Sequence, residues 1–359
     1  MNIETLVREN IRKLKPYSAA RHEFSGTASV FLDANENAHD VHGGALNRYP
    51  DPLQTAIKAQ LSELKKVPPA SIFLGNGSDE AIDLLFRIFC EPGVDEAIIC
   101  PPTYGMYQVQ ADIHATPVKK VLLDENFGLR TGAIMEAVSP KSKLLFLCSP
   151  NNPTGNLMAV NDIEFLLKNF AGIVVVDEAY IDFAKGAASW AERLAEFPNL
   201  VVLQTLSKAW ALAGARLGMA FASPAIIDLL NKVKYPYNLG LPTQKAVLAV
   251  LDKTDIRPVI DGILKEKEKL ETALHQFELV EKIYPSDSNF LLVKMQNSAL
   301  VFNALKERGI IVRDRSKEPL CDGCLRITIG TEAENDFLLK QLNVVAKFIG
   351  RPNKNSPAK

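Results

Sequence analysis

A lysine stands in an otherwise apolar, small-residue stretch of the chain, QTLSKAWALAGARLGMAF (204–221). Lys208 follows Ser207, and the next cation, Arg216, comes eight positions later. A buried ammonium group is costly, so proteins either pair it or lower its pKa until the amine is neutral. A neutral lysine amine is a nucleophile, and its commonest use is a Schiff base with a carbonyl group. Lys208 taken alone could equally snorkel from a helix start with its head in water, so other residues must decide.

A carboxylate ends a second apolar stretch, VVVDEAYIDF (174–183), where Asp177 follows three valines. The carboxyl ends of strands in open α/β sheets face the ligand crevice. An aspartate buried there needs a cationic partner, such as a protonated ring nitrogen. Tyr180, three residues later, can place a phenol beside the same ring. An aspartate that merely caps the following turn explains Asp177 about as well.

A glycine turn in FLGNGSDEA (73–81) joins a strand to a helix. The helix opens at Ser78 and Asp79 after Gly77, so free backbone N–H groups and the helix dipole could hold a phosphate there. The third glycine of the dinucleotide fingerprint is missing, because Glu80 occupies its place. A plain capped helix therefore remains an alternative.

A tight turn in CSPNNPTGN (148–156) carries two amides, Asn151 and Asn152, directly after a strand. Either amide could hydrogen-bond a ligand hydroxyl. Together the four stretches offer a phosphate cradle, a partner for a pyridinium, phenol and amide donors, a Schiff-base lysine and an arginine. Pyridoxal phosphate requires this set of groups.

The composition argues against several classes of protein. A formal net charge of −1 over 359 residues gives no electrostatic reason to expect nucleic acid or an anionic membrane surface as a partner. No apolar run reaches the ~18 residues of a transmembrane helix, and the N-terminus lacks the apolar core of a signal peptide. Five scattered cysteines favour a reducing cytoplasm. The spacings in CDGC (321–324) and HDVH (39–42) lack the further ligands of a metal site, so we expect no metal.

Short apolar runs alternate with longer segments of helical periodicity. The runs at 96–100, 143–148, 172–178, 200–204 and 218–222 predict buried strands. Segments such as SDEAIDLLFRIFC (78–90) repeat apolar residues at helical spacing. The alternation predicts an α/β fold with a mainly parallel sheet flanked by helices.

The pattern changes after about residue 240. A long charged helix (259–277) precedes a strand-like run (288–295), a helical segment and two short strand-like runs. This order predicts a smaller α+β unit. We expect a large domain over 47–240, a small domain formed by 1–46 together with 241–350, and a frayed tail over 351–359.

The order of the motifs resembles that of the fold-type I, class II pyridoxal-phosphate-dependent aminotransferases. These motifs are YPDP, GNGSDE, PPTYGMY, SPNNPTG, VVDEAYIDF, TLSKAWALAGARLG and CLRITIGT. In detail the chain is similar to members that act on histidinol phosphate. The resemblance implies a cytoplasmic enzyme of histidine biosynthesis that exchanges an amino group between L-histidinol phosphate and 2-oxoglutarate, with imidazole acetol phosphate and L-glutamate as products. An aromatic amino-acid aminotransferase and a phospho-amino-acid decarboxylase of the same fold remain alternatives.

The resemblance also implies residues that hold pyridoxal 5′-phosphate. Lys208 would form the Schiff base and act as acid and base, and Asp177 would keep the ring nitrogen protonated. Tyr180 and Asn152 would hydrogen-bond the ring oxygen, and Tyr104 would stack on the ring. The phosphate would be held by Gly77, Ser78, Asp79, Thr205, Ser207 and Arg216.

Substrate-binding residues and a shared active site follow from the same resemblance. Arg326 would bind the carboxylate of glutamate as a bidentate fork. Tyr17 and Arg313 would contact the substrate phosphate, and Asn35 would line the same pocket. Tyr49 would reach the cofactor phosphate of a neighbouring subunit, which makes a homodimer part of the site. A strand-end arginine paired with a nearby acid would explain Arg313 without a substrate.

Two positions depart from the family pattern. Ala38 stands in LDANENAHD (32–40) where proline is common, which leaves the conformation of that loop open. Trp210 replaces a usual phenylalanine after the lysine, a change that we expect to be neutral.

Overall fold

The computed structural model describes residues 2–16 and 29–349, and in this part of the chain two β-sheets carry the fold. The strands are Ile72–Asn76 (β1), Glu96–Ile99 (β2), Val118–Lys120 (β3), Ser142–Cys148 (β4), Ile173–Asp177 (β5), Leu200–Thr205 (β6), Leu217–Ala222 (β7), Val280–Ile283 (β8), Phe290–Met295 (β9), Arg313–Asp314 (β10) and Cys324–Thr328 (β11).

Helices cover much of the remaining chain. The α-helices are Glu9–Lys13 (α1), Thr55–Lys65 (α2), Ser78–Phe89 (α3), Met106–Ile113 (α4), Thr131–Ala137 (α5), Val160–Asn169 (α6), Pro224–Val233 (α7), Leu241–Leu251 (α8), Arg257–Leu274 (α9), Ser298–Glu307 (α10) and Glu332–Phe348 (α11). Short 3-10 helices cover Ile3–Leu6, Pro69–Ser71, Ile181–Phe183, Trp190–Arg193 and Ala213–Ala215. Among the described helices, none is long and apolar enough to cross a bilayer.

The larger sheet has seven strands in the order β1-β7-β6-β5-β4-β2-β3. Strands β2 to β6 pair in parallel, and β7 is antiparallel to both β1 and β6. Every residue of β5 and β6 is buried, because separate hydrophobic clusters cover the two faces of the sheet. The prediction of a mainly parallel sheet flanked by helices is confirmed.

The strand directions bring several chain segments to one edge of this sheet. Strands β1, β4, β5 and β6 run the same way, so their last residues, Asn76, Cys148, Asp177 and Thr205, lie at that edge. Strand β7 runs the opposite way and therefore begins there, directly after Arg216. Helix α3 packs on β1 and β7, and its N-terminus opens at the same edge.

The smaller sheet is antiparallel, in the order β10-β11-β9-β8. Helices α9, α10 and α11 pack on this sheet and form a separate hydrophobic cluster with its strands. The N-terminal segment does not join this cluster, because Ile3, Val7 and Ile11 pack with the larger sheet and α3. The domain limits themselves stay a prediction, and the tail at 351–359 lies outside the described residues.

Candidate active site

A cavity of about 400 Å³ opens at the edge where these strands end. Most of the residues predicted to bind cofactor or substrate line it: Gly77, Ser78, Asp79, Tyr104, Asn152, Asp177, Tyr180, Thr205, Ser207, Lys208, Arg216, Arg313 and Arg326. Cys148, Ala179 and Arg315 line it too, and sequence reasoning did not select them. Tyr17 lies outside the described residues.

Lys208 projects into this open cavity, between the buried residues Leu206 and Ala209. Its Nζ lies 5.5 Å from the centre of the Tyr180 ring. Within residues 2–16 and 29–349 no carboxylate lies within ion-pair distance of Nζ. Partial burial, and then the positive charge of Arg326, lower the pKa of Lys208. The side chain therefore fits a reactive amine better than a snorkelling surface lysine.

The carboxylate of Asp177 is buried at the end of β5. One carboxylate oxygen accepts a hydrogen bond from Tyr107 Oη (2.7 Å), and the other accepts one from the Ala179 N–H (3.1 Å). Burial raises the pKa of Asp177 to about 6, against these hydrogen bonds, which lower it. Above that pH, Asp177 is a buried anion without a cation in hydrogen-bond contact among the described residues.

Tyr107 is a positioning residue that sequence reasoning missed. It is fully buried on α4, stacks on Phe146 with ring centres 4.7 Å apart, and holds Asp177 from behind. Tyr104, three residues earlier, faces the cavity, and its Oη donates to Asp79 (3.2 Å). The helical spacing of the two tyrosines in PPTYGMY was the available signal.

The start of α3 has the geometry of an anion cradle. Gly77 precedes the helix with φ of 75°, and no side chain caps the first N–H groups. A Cβ at Gly77 would come within 2.9 Å of Arg216 Nη2, so a larger residue would fill the cradle. Gly218 on β7 lets the start of α3 pack closely on that strand, since a Cβ at position 218 would lie 2.0 Å from the Ser78 nitrogen. The backbone of Ser78 and the guanidinium of Arg216 therefore face one space.

Thr205 supports the turn that carries the lysine. Its hydroxyl accepts from the Ser207 N–H (3.1 Å) and donates to the Leu217 carbonyl (3.3 Å). These bonds tie the end of β6 to the start of β7. Thr205 thus fixes the segment from which Ser207 and Lys208 enter the cavity.

The two asparagines of the tight turn have different roles. Asn151 is buried and bonds to Pro102 O, Thr154 and Thr103, so it holds the scaffold together. Asn152 lines the cavity, where its Oδ1 accepts from Arg326 Nη1 at 2.5 Å. The guanidinium of Arg326 also lies over Phe290, at 5.2 Å from the ring centre.

Asn35 and Tyr49 do not reach the main cavity. They line a second pocket of about 330 Å³, and the ring of Tyr49 stacks on Tyr237 at 4.4 Å. Half of the Tyr49 surface is exposed. The roles predicted for Asn35 in the substrate pocket and for Tyr49 at a neighbouring subunit stay predictions.

The cavity fits pyridoxal phosphate by its donor set. The cradle at Gly77 and Arg216 suits a phosphate dianion, and the buried Asp177 suits a protonated ring nitrogen. The amine of Lys208 faces the same space. The phenols of Tyr104 and Tyr180 remain protonated hydrogen-bond donors, because burial raises the pKa of both.

Comparison with known proteins agrees with this geometry. Residues 23–342 match the model of the family "Aminotransferase class I and II". Histidinol-phosphate aminotransferases of Parabacteroides distasonis and Bacteroides thetaiotaomicron are 53% and 52% identical over 342 residues, which cover 95% of this chain and 98% of each relative. The crystal structure of the histidinol-phosphate aminotransferase of Sinorhizobium meliloti in complex with pyridoxal-5′-phosphate superposes with a TM-score of 0.77 at 24% identity, covering 84% of this chain and 83% of that one. The chain therefore belongs to the pyridoxal-phosphate-dependent class I and II aminotransferases, in the histidinol-phosphate aminotransferase family.

Proposed function

We propose that the protein transfers the amino group of L-histidinol phosphate to 2-oxoglutarate, which gives imidazole acetol phosphate and L-glutamate. One observation carries the proposal: a single cavity combines Lys208 and Asp177 with several guanidinium groups, among them Arg326. The relatives with this activity in their names, identical at about half of the positions, support it. A cytoplasmic location stays a prediction from cysteine usage.

Each residue of the site contributes a separate task. Pyridoxal phosphate, when bound, supplies a ring that takes up the electron pair left by proton removal from the substrate. Asp177 would hold the ring nitrogen protonated, and Arg216 with the backbone at Ser78 would hold the phosphate. Lys208 would remove the proton from the substrate carbon that bears the amino group, a general-base role that partial burial favours by lowering the pKa of the amine.

The two substrates present different anions to one site. Histidinol phosphate has a phosphate and no carboxylate, whereas glutamate has two carboxylates. Arg326 projects between Asn152 and Phe290 and can form a bidentate pair with a carboxylate. Arg313 lies exposed at the rim of the same cavity. This arrangement supports alternate binding of the two substrates.

The proposal is tested by a spectrophotometric half-reaction on the purified protein loaded with cofactor. Histidinol phosphate alone should remove the visible absorbance of the lysine-bound cofactor, and 2-oxoglutarate should then restore it. Phenylalanine should act far more slowly. A faster reaction with phenylalanine would indicate an aromatic aminotransferase, and CO₂ release from a phospho-amino acid without an oxo-acid acceptor would indicate a decarboxylase.

We further propose a homodimer in which Tyr49 serves the neighbouring site. Tyr49 and Asn35 lie in the segment 30–53, which exposes several large apolar side chains: Val30, Leu32, Val41, Leu46 and Leu53. Exposed apolar area of this kind marks interaction surfaces. A closed two-fold dimer would place the same segment of each chain on its partner.

The dimer predicts complementation between two inactive variants. Chains with Lys208→Ala and chains with Tyr49→Ala should each have low activity. Mixed dimers would hold one site with an intact lysine and an intact tyrosine from opposite chains, so an equal mixture should recover about a quarter of wild-type activity. Sedimentation should show a dimer throughout. Recovery at the level of the separate variants would mean that Tyr49 does not act across the interface.

A further inference from the structure

A fourth guanidinium group, that of Arg315, faces the cavity from the end of β10. Arg315 follows that strand by one residue, and its side chain is 17% exposed. Its contact with Glu318 is long, at 3.4 Å from Nη1 to Oε1. Its Nε is buried and has no hydrogen-bond partner among the described residues. The Arg315 side chain thus lines the cavity and has N–H donors available for a ligand.

The register of the small sheet places this group beside Arg326. Arg313 pairs with Arg326 across β10 and β11, and the Arg315 N–H continues the ladder to the Cys324 carbonyl at 2.9 Å. Because side chains alternate along a strand, Arg315 projects to the same face as Arg313 and Arg326. The positive charge of Arg315 also lowers the pKa of Arg326 more than the charge of Arg313 does.

The charge of the cavity calls for an anion beyond the cofactor. The lining cations exceed the lining carboxylates by three: Lys208, Arg216, Arg313, Arg315 and Arg326 face Asp79 and Asp177. The phosphate of the cofactor neutralises up to about two of these charges. The surplus lies at the end of the cavity formed by β10 and β11, away from the cradle at α3. Like charges side by side are unfavourable until an anion binds between them.

We propose that Arg315 contacts the anionic end of the substrate together with Arg326, and that it favours a phosphate dianion over a carboxylate. Two adjacent guanidinium groups match a tetrahedral dianion, which offers more acceptor oxygens than a carboxylate. This inference rests on the proposed function. It predicts that Arg315 contributes more to binding of the substrate phosphate than the more exposed Arg313 does.

The test compares four variants with the wild-type enzyme loaded with cofactor: Arg315→Gln, Arg315→Lys, Arg313→Gln and the exposed control Arg257→Gln. Arg315→Gln should raise the KM for histidinol phosphate about 10- to 100-fold, because the variant loses a charge-assisted hydrogen bond to the substrate. The KM for glutamate should rise less than about threefold. The KM of Arg315→Lys for histidinol phosphate should lie between those of wild type and Arg315→Gln, because an ammonium group keeps the charge but cannot form a bidentate pair. Rates with histidinol, which has no phosphate, should be equal in Arg315→Gln and wild type.

A second measurement does not depend on turnover. Calorimetric titration of the loaded enzyme with inorganic phosphate should show weaker binding in Arg315→Gln than in Arg257→Gln. Equal phosphate binding in those two variants, or equal KM increases for both substrates, would overturn the assignment. If wild type fails to use histidinol phosphate, the proposed function fails, and the phosphate titration alone then decides the role of Arg315. Retained cofactor absorbance and melting temperature establish that each variant is folded.

Discussion

Replacing Lys208 by alanine is expected to lower turnover at least about 10⁴-fold, because one side chain supplies both the nucleophile and the acid–base group. Lys208 is the one lysine among the described residues that line the cavity, so no neighbouring amine can substitute for it. Partial burial and the positive charge of Arg326 both lower the pKa of its amine. Single-turnover absorbance after addition of histidinol phosphate measures the loss.

A lowered pKa alone does not identify the reactive lysine. Lys234 also has a pKa lowered by burial, to about 8. Its Nζ, however, donates to the carbonyls of Pro52 (2.8 Å) and Pro236 (3.0 Å), and it lines a different pocket. Lys208→Ala should therefore reduce activity with little loss of stability, and the exposed control Lys265→Ala should change neither. Turnover that survives in Lys208→Ala would transfer the role to another base.

The edge of the larger sheet was predictable from local patterns. Strands such as Ser142–Cys148 and Ile173–Asp177 are short apolar runs, and the sequence-based limits 143–148 and 172–178 fall within one residue of them. Because parallel strands share one carboxyl edge, the polar residues that end them had to meet. This is why Asp177, Asn152 and the lysine turn could be grouped in advance.

Irregular and weakly patterned segments could not be predicted in this way. The strand Val118–Lys120 lacks an apolar run, and β-pairing alone defines it. The N-terminus forms two short helices, Ile3–Leu6 and Glu9–Lys13, rather than one continuous helix. Between them the Arg8 N–H donates to the Ile88 carbonyl, a tertiary contact that interrupts the helical hydrogen bonding.

The choice between two polar neighbours also depends on tertiary contacts. Nothing local separates Asn151 from Asn152, yet one binds the scaffold and the other faces the cavity. Arg315 lies two residues after Arg313 in one of the predicted strand-like runs, so strand periodicity places both on one face, but only the pairing with β11 shows that this face also carries Arg326. Such side chains are located by register, which requires the partner strand.

Replacing Asp177 by asparagine is expected to lower kcat about 10²- to 10³-fold, since it removes a preorganised charge from the site. Cofactor should still bind, because the cradle at Gly77 and Arg216 remains, but it should bind more weakly than in wild type. Glu178 is a matched control: it is also buried, and burial raises its pKa to about 7. It binds Trp190 N–H (2.7 Å) and Gln204 Nε2 (2.9 Å) outside the cavity, so Glu178→Gln should retain activity. A normal rate in Asp177→Asn would show that the carboxylate is only structural.

The pH dependence of cofactor binding should follow the same carboxylate. Asp177 has a pKa raised to about 6 in the folded protein, so below pH 6 it is neutral and cofactor must displace a proton to pair with it. Affinity should then fall by up to about tenfold per unit as the pH drops below 6. The Tyr107 hydrogen bond lowers this pKa, so Tyr107→Phe should raise it, and the fall should begin at a higher pH. Spectrophotometric titration of the cofactor-free protein between pH 5 and 8 measures both curves, with Asp177→Asn as the variant that lacks this titration. Superimposable curves for wild type and Tyr107→Phe would mean that Tyr107 does not tune the carboxylate.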